Sequence, residues 1–365
     1  MTRKYITQDK LKKKNLADIF IYILSKKQTT RREIEYETGF SWGMVSSNVA
    51  FLLEKEYITE EKSEKSGTAG RITYILKPCG EKVVSIGLDI NRSGLTCEIV
   101  GLDSVVRERF AKAFTSTTQA EVIGQAEELC RTAVAWCEER SLRVFSLGIS
   151  IQGVVNGRLG TAIRFPGIPD WEPYDLKEHF VRRFGLHVYL GHDPKCMLLG
   201  EMWNAPCSNC VLVRIDEGIG MALSLDGRIL DDTERFELGH TLVVPDGKPC
   251  NCGQRGCLEA YASLRAIAES ADVSVSRLFA EPQKYTAELE AAGNCLGLAL
   301  YNMCMLFNPQ KLILTGCAVS LEALMKPSLH AATHAGVRVT LNPTVSAAYG
   351  AAVESMKSAI QNPNV

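Results

Sequence analysis

Glu237-Leu238-Gly239-His240, followed by Cys250-Asn251-Cys252-Gly253-Gln254-Arg255-Gly256-Cys257-Leu258-Glu259, is the stretch on which the reading of this chain turns. One histidine and three cysteines fall within eighteen positions. Thiolate and imidazole are preferred ligands of Zn²⁺, and four protein ligands closing a tetrahedron define a structural rather than a catalytic site. Gly253 and Gly256 give the backbone the freedom to fold these ligands back onto one point, which a merely cysteine-rich loop would not need. The spacing therefore predicts a structural zinc site made of His240, Cys250, Cys252 and Cys257.

The same spacing, Glu-x-Gly-His and then Cys-x-Cys-Gly-x-x-Gly-Cys-x-Glu, resembles the signature of the ROK family (repressors, open reading frames and sugar kinases). The resemblance runs from about Val83 to the C-terminal helix. It implies an actin-like, sugar-kinase body of two duplicated α/β lobes with a ligand held in the cleft between them. Short apolar runs at Val83–Leu88, Leu95–Val100 and Val105–Phe110, a helical stretch at Gln119–Glu139 and a strand at Val144–Ile151 agree with the first lobe.

Composition sets outer bounds. With 365 residues the chain is long enough for two or three domains, and 46% hydrophobic with 23% charged residues describes a soluble globular protein. No apolar run approaches the roughly 20 residues of a membrane span, and the N-terminus leads into lysines at 10–14 rather than an apolar signal core. Thirteen cysteines without a small-domain disulfide pattern predict reduced thiols and a cytoplasmic protein with no membrane partner. The lone Cys207-Ser208-Asn209-Cys210 has no partner ligands nearby in sequence and reads as incidental. The net charge of −1 conceals a basic excess of five in residues 1–80 and an acidic excess of six in the remainder, as a nucleic-acid-binding head on an acidic body would show.

The first eighty residues carry their own pattern. Leu16, Ile19, Phe20, Ile23 and Leu24 form a helical stripe. Thr30-Arg31-Arg32-Glu33 reads as a capping box opening a second helix that carries Ile34 inward and ends at Gly39. Ser41 caps a third helix, expected over 41–56, with Val45, Val49, Leu52 and Leu53 inward and Trp42, Ser46, Ser47 and Asn48 outward. Two short β runs, Thr59–Lys62 and Arg71–Leu76, flank a polar, glycine-rich turn. Three helices and a hairpin resemble a winged helix-turn-helix, with the third helix reading the major groove and Lys65 and Arg71 on the wing. The alternative use of such a module is protein–protein contact.

Within the body, the family's first phosphate loop, Asp-x-Gly-Gly-Thr, is matched by Asp89-Ile90-Asn91-Arg92-Ser93, with both glycines lost. Its second, roughly Gly-Thr-Gly-x-Gly, is matched by Asp216-Glu217-Gly218-Ile219-Gly220, where a carboxylate replaces a hydroxyl donor. Its third, a run of glycines, is reduced to Thr315-Gly316-Cys317-Ala318. Two carboxylates beside a polyphosphate repel it, so the ATP site reads as defunct and no catalytic residue is assigned. The resemblance places Asp193 at the position of the kinase base, with His192 replacing the family's asparagine, and identifies Glu237 and Glu259 as sugar-binding glutamates beside His240. Asp193 also suits a cap on a helix starting at Lys195, and Trp171 suits either a cleft wall or core.

Domain boundaries are expected at 1–80 for the head, 82–193 with about 345–361 for the first lobe, and 194–344 for the second lobe with the zinc motif. The whole describes a sugar-responsive transcriptional regulator, in the repressor sense, binding inverted-repeat operator DNA as a homodimer or dimer of dimers and sensing a carbohydrate effector. The alternative is an active ATP-dependent sugar kinase with a regulatory head.

Overall fold

The computed structural model describes residues 8–63, 73–114, 118–230 and 236–361, with side chains from Lys13 onward. The chain divides into two compact units, one of residues 1–191 with 348–365 and one of residues 192–347. Among the described residues no helix is long and apolar enough to cross a membrane.

The first unit opens with three helices, α1 (Gln8–Lys26), α2 (Arg31–Thr38) and α3 (Trp42–Glu54). Ile19, Phe20, Ile23 and Leu24 of α1 are fully buried and share the core with Ile34, Val45, Val49 and Leu52. The caps fall where expected: Thr30 and Glu33 complete a capping box, Gly39 closes α2 in the left-handed conformation (φ 68°), and the Ser41 side chain accepts from Met44 N. The third helix is two residues shorter than its sequence signal, ending at Glu54 with Lys55 as cap. Two antiparallel strands follow, β1 (Ile58–Lys62) and β2 (Tyr74–Pro78), paired from Ile58↔Pro78 to Lys62↔Tyr74. The second strand thus begins three residues later than the run read from Arg71. Lys65 and Arg71 lie outside the described residues.

Next come β3 (Val83–Asn91), β4 (Gly94–Gly101), β5 (Val106–Ala113), α4 (Gln119–Glu139), β6 (Arg143–Ile151), the small pair β7 (Val154–Asn156) and β8 (Thr161–Arg164), α5 (Leu176–Phe184) and β9 (His187–His192). The main sheet has the order β5-β4-β3-β6-β9. Its first three strands form an antiparallel meander, and β3 pairs parallel with β6. Trp171 belongs to the core: it is 8% exposed, packs 5.3 Å from Phe165 and donates its indole N–H to Ala162 O.

The second unit contains α6 (Asp193–Asn204), β10 (Cys210–Ile215), β11 (Ile219–Leu225), β12 (Arg228–Ile229), the short helices α7 (Glu259–Ala262), α8 (Leu264–Ser270) and α9 (Val275–Ala280), then α10 (Thr286–Phe307), β13 (Lys311–Thr315), α11 (Glu322–His334) and β14 (Arg338–Leu341). The closing helix, α12 (Ala347–Gln361), returns to the first unit. The second sheet runs β12-β11-β10-β13-β14, with β10 antiparallel to β11 and parallel to β13. Numbered along the chain within each unit, both sheets place their main strands in the order third, second, first, fourth, fifth. That is the duplication the sequence resemblance implies.

Candidate functional site

The His/Cys cluster forms as a unit. His240 ends a 3₁₀ turn over Leu238–His240, and Cys257 immediately precedes the turn into α7. Between them, Cys250 N–H donates to Gln254 O at 2.8 Å and Gly253 N–H to Cys250 O at 3.0 Å, winding the chain into a tight knuckle. Gly256 is irreplaceable there: φ is +79° and a Cβ would sit 1.8 Å from Val244 O. The four ligand atoms all lie within 4.8 Å of one another. Cys250 Sγ is 3.6 Å from His240 Nδ1 and Cys252 Sγ 3.6 Å from Cys257 Sγ, close to the roughly 3.8 Å edge of a tetrahedron built on metal–sulfur bonds of about 2.3 Å. A hydrogen bond from the Gln254 backbone holds the Cys252 thiol below its usual range, whereas burial, then hydrogen bonds from Cys252 and Cys250, push Cys257 up to about 12. Burial thus disfavours a Cys257 thiolate, a cost that a cation held beside it would offset. The cluster's donor set and geometry fit a metal ion.

A second constellation gathers around the start of β11. His192 ends β9 and caps α6, placing Asp193 in the first turn; the helix begins at Asp193 itself, two residues before Lys195. Pro194 and His192 lie over Gly220, where a Cβ would come 2.9 Å from Pro194 Cγ. Glu259 reaches the same turn and accepts from Ile219 N–H at 3.1 Å through Oε2. Glu237 is exposed and its carbonyl accepts from His240 N–H at 2.9 Å. Thus β11 brings His192, Asp193 and Glu259 to one end of the second sheet, and the 237–240 turn attaches beside it through Gly239, whose Cβ position would lie 3.4 Å from Glu259 Oε2.

Sequence reasoning missed Arg214. It interrupts the apolar run Val211-Leu212-Val213-Arg214-Ile215, an available signal, and its side chain is only 12% exposed. Its guanidinium binds Asp193 Oδ2 through Nη1 and Asp216 Oδ2 through Nε, the latter at 2.6 Å. Asp216 Oδ1 in turn accepts from Cys317 N–H at 2.7 Å. The chain Asp193–Arg214–Asp216–Cys317 therefore joins the aspartate of the sugar-side reading to two of the altered phosphate loops. One oxygen is left over. Asp193 Oδ1 is buried without a hydrogen-bond partner, as is His192 Nδ1, although His192 Nε2 sits 3.1 Å away from that oxygen at an ion-pair distance.

In the first unit, the altered loop between β3 and β4 is closed by its own side chains. Asp89 Oδ1 accepts from Ser150 Oγ at 2.7 Å and Oδ2 from Asn91 Nδ2 at 2.7 Å, while Asn91 Oδ1 accepts from Ser93 N–H at 2.8 Å. Arg92 N–H donates to Gln152 Oε1 at 3.0 Å.

On the head, the outward face of α3 is as expected only in part. Trp42 is 44% exposed and Ser47 is exposed, but Ser46 and Asn48 are half-buried. Ser47 Oγ and Asn48 Nδ2 both donate to Met44 O, at 3.0 and 2.9 Å. Trp42 and Ser46 line a concavity with Thr30, Arg31, Arg32, Thr73 and Tyr74. The exposed Arg32 and the 45% exposed Tyr74 are groups the sequence reading did not single out.

Two α/β units of identical strand order, a His/Cys metal-type knuckle and a three-helix head with a β-ribbon define a class: an actin-like sugar-kinase body carrying an N-terminal helical head. The ROK family model matches residues 85–360, and the chain belongs to the ROK family. It is 24% identical over 349 residues to the DNA-binding transcriptional dual regulator NagC of Escherichia coli K12, covering 88% of this chain and 84% of NagC. It is 22% identical over 336 residues to the xylose repressor of Bacillus subtilis, covering 87% and 86%. Among solved structures it resembles a ROK family transcriptional regulator homologous to the E. coli Mlc protein, with 21% identity, a TM-score of 0.83, and 96% and 97% of the two chains covered.

Proposed function

We propose that this protein is a sugar-responsive transcriptional regulator acting as a repressor, which binds operator DNA through its head and a carbohydrate through Asp193, His192, Glu259, Glu237 and the turn carrying His240. The single observation that carries this reading is Asp216. Its carboxylate takes the Cys317 amide that a nucleotide-binding body would keep for its ligand, and a carboxylate there repels a polyphosphate. The nearby Asp193 Oδ1 meets only His192 Nε2 at an ion-pair distance, and neither it nor His192 Nδ1 has a hydrogen-bond partner; buried polar atoms without a hydrogen bond are costly until something supplies it. Sugar hydroxyls, each both donor and acceptor, suit that pair. Phosphoryl transfer is absent in this proposal, and Zn²⁺ fills the His240, Cys250, Cys252 and Cys257 cluster as a structural ion.

The relatives named repressors and a DNA-binding regulator support the DNA-binding half of the reading. One reading helix offers little area, whereas specific protein–DNA interfaces bury on the order of 1,000 Å² or more. Two heads joined through their bodies, as a dimer or dimer of dimers, would double the contact and select an inverted repeat with half-sites about one or more helical turns apart. On binding, Ser47 and Asn48 would exchange Met44 O for base edges or phosphates, while Arg32 and Tyr74 face the backbone beside Trp42 and Ser46. Asn48→Ala is then expected to lose sequence discrimination, and Lys65→Ala or Arg71→Ala to weaken binding more evenly across sequences with a shallower salt dependence. An anisotropy titration against the protein's own promoter region, with and without a panel of hexoses, pentoses and amino sugars, tests this together with an ADP-release assay. Sugar-dependent DNA affinity without ADP release is expected. Robust ATP-dependent turnover of any sugar would overturn it.

A further inference from the structure

The head is joined to the first unit's sheet by a very short connection. Only Cys79-Gly80-Glu81-Lys82 separate β2 from β3, and these four residues are pinned. Cys79 is 6% exposed and donates its N–H to Tyr57 O at 2.9 Å. Gly80 O accepts from Arg107 Nε at 3.3 Å, and a Cβ at Gly80 would lie 2.2 Å from Asp103, so the strand-to-strand passage leaves no room for slack.

A second set of contacts holds the end of the third helix. Arg143, the first residue of β6, donates from Nη2 to the carbonyl of Lys55 at 2.6 Å. Lys55 is the C-cap of α3, where unsatisfied carbonyls concentrate negative charge and a cation is favoured. The same guanidinium lies 4.8 Å from the centroid of the Tyr57 ring, a cation–π arrangement. Tyr57 packs 5.2 Å from Phe145, also on β6, and 5.6 Å from Phe20 of α1. Lys82 and Glu56 add an exposed ion pair at 2.5 Å.

The strand that begins at Arg143 ends at the altered first-unit loop. Ser150 near its far end holds Asp89, and Gln152 just beyond it holds Arg92 N–H. Nine residues at about 3.3 Å each place these two ends roughly 25–30 Å apart along one strand. We propose that Arg143 is the positioning residue that fixes the third helix on β6, so that head and first-unit sheet move as one body rather than as domains on a flexible tether. The consequence for DNA rests on the regulator reading: a displacement of the sheet would reach the operator as a displacement of the whole head, and half-site spacing would be read stringently. The mechanical claim does not rest on it.

The test uses the full-length protein. TROSY relaxation of ¹⁵N-labelled protein reports the rotational correlation time of head amides (α1–α3, β1, β2) against amides of β3, β4 and β6. In the unaltered protein the two sets share one correlation time. Arg143→Ala shortens that of the head amides while the body amides keep theirs, and Arg143→Lys, which keeps charge without the planar stacking fork, falls between. Unchanged chemical shifts in the second unit check that the variants fold. In parallel, binding is measured to single half-sites from the promoter region and to inverted repeats of graded spacing. Arg143→Ala is expected to leave single-half-site affinity unchanged and to flatten the spacing preference several-fold, which a purely structural loss would not do. Head amides that already tumble faster than the body in the unaltered protein would overturn the proposal, as would an Arg143→Ala head that keeps the body's correlation time. The relaxation experiment decides the pin whatever the DNA does; absence of any DNA binding by the unaltered protein would fall on the proposed function alone.

Discussion

The two units share a strand order but close their corresponding loops with different chemistry. After the first strand of the first-unit sheet, Asn91 ties Asp89 and Ser93 N–H together with an amide, and Ser150 completes the shell. After the first strand of the second-unit sheet, Asp216 takes Cys317 N–H and Arg214, and Arg214 also holds Asp193. In both places a side chain of the chain itself hydrogen-bonds to the backbone of the loop. The first unit achieves this mainly through neutral donors around one buried aspartate. The second does it with a largely buried ionic chain that ends on the Asp193 carboxylate. The first loop is thus self-contained, while the second is coupled through Arg214 to Asp193.

The largest effect that bears on this contrast is expected at the knuckle. Because ligand binding by a structural metal is folding free energy, Cys252→Ser with Cys257→Ser should lose the metal and cost the second unit on the order of several kcal/mol. Elemental analysis beside a thermal melt measures this. A double variant holding a full equivalent of zinc would remove the metal anchor from the comparison.

Next in size is Arg214→Met, which leaves the buried Asp193 and the half-buried Asp216, 3% and 19% exposed, without their guanidinium. Breaking a buried pair by removing one partner costs about 3–5 kcal/mol, whereas removing all its charges together is far less damaging. Urea denaturation of Arg214→Met should show that loss, and adding Asp193→Asn and Asp216→Asn should restore most of it. Equal stability of the single and triple variants would break the claim that the second loop is held by charge.

The first-unit loop should respond more weakly. Asn91→Ala removes two hydrogen bonds and is expected to cost about 1–2 kcal/mol. Neither Asn91→Gly nor its combination with Arg92→Gly should confer ATP turnover, since Asp216 still occupies Cys317 N–H. Appearance of sugar-dependent ADP release in that double variant would show that the first loop alone disables the site.

The smallest effect is a dependence on pH. Burial pushes the Glu127 carboxyl up, but hydrogen bonds from Arg131, Arg183 and His179 outweigh it and hold the group below the usual carboxylate range. A carboxylate with a lowered folded pKa contributes its stability above the unfolded value of about 4.3 and loses it as pH falls through the folded value. Melting temperature should therefore fall on acidification below that unfolded value, and Glu127→Gln should flatten that limb while leaving the knuckle's metal content unchanged. An identical acid limb in the variant would assign the sensitivity to other carboxylates.

Much of this was legible in the chain before any coordinates. The capping box at Thr30 and Glu33, the cap at Ser41 and the turn at Gly39 are contacts between residues three or four apart, so spelling alone reveals them. The same holds for the knuckle, whose ligands lie within eighteen positions and whose Gly256 is demanded by a positive φ. The loss of loop glycines at Asn91, Arg92 and Cys317 was equally visible, because a missing glycine is a missing backbone conformation, and so was the carboxylate of Glu217 in place of a hydroxyl donor. Helix ends strayed by only two residues, as at Glu54 and Asp193, where packing and proline rather than the nominal signal set the boundary.

What only the tertiary structure decided are the partners of charged side chains far apart in sequence. Arg214 finds Asp193 across 21 positions, Arg143 finds Lys55 across 88, and Asp216 finds Cys317 across 101. A lone arginine in an apolar strand announces that some anion must meet it, since a buried charge cannot stand unpaired, but not which one. That choice is tertiary: β13 pairs beside β10 and leads into the Cys317 amide that meets Asp216, while α6 presents Asp193 to the guanidinium, and no local pattern announces either.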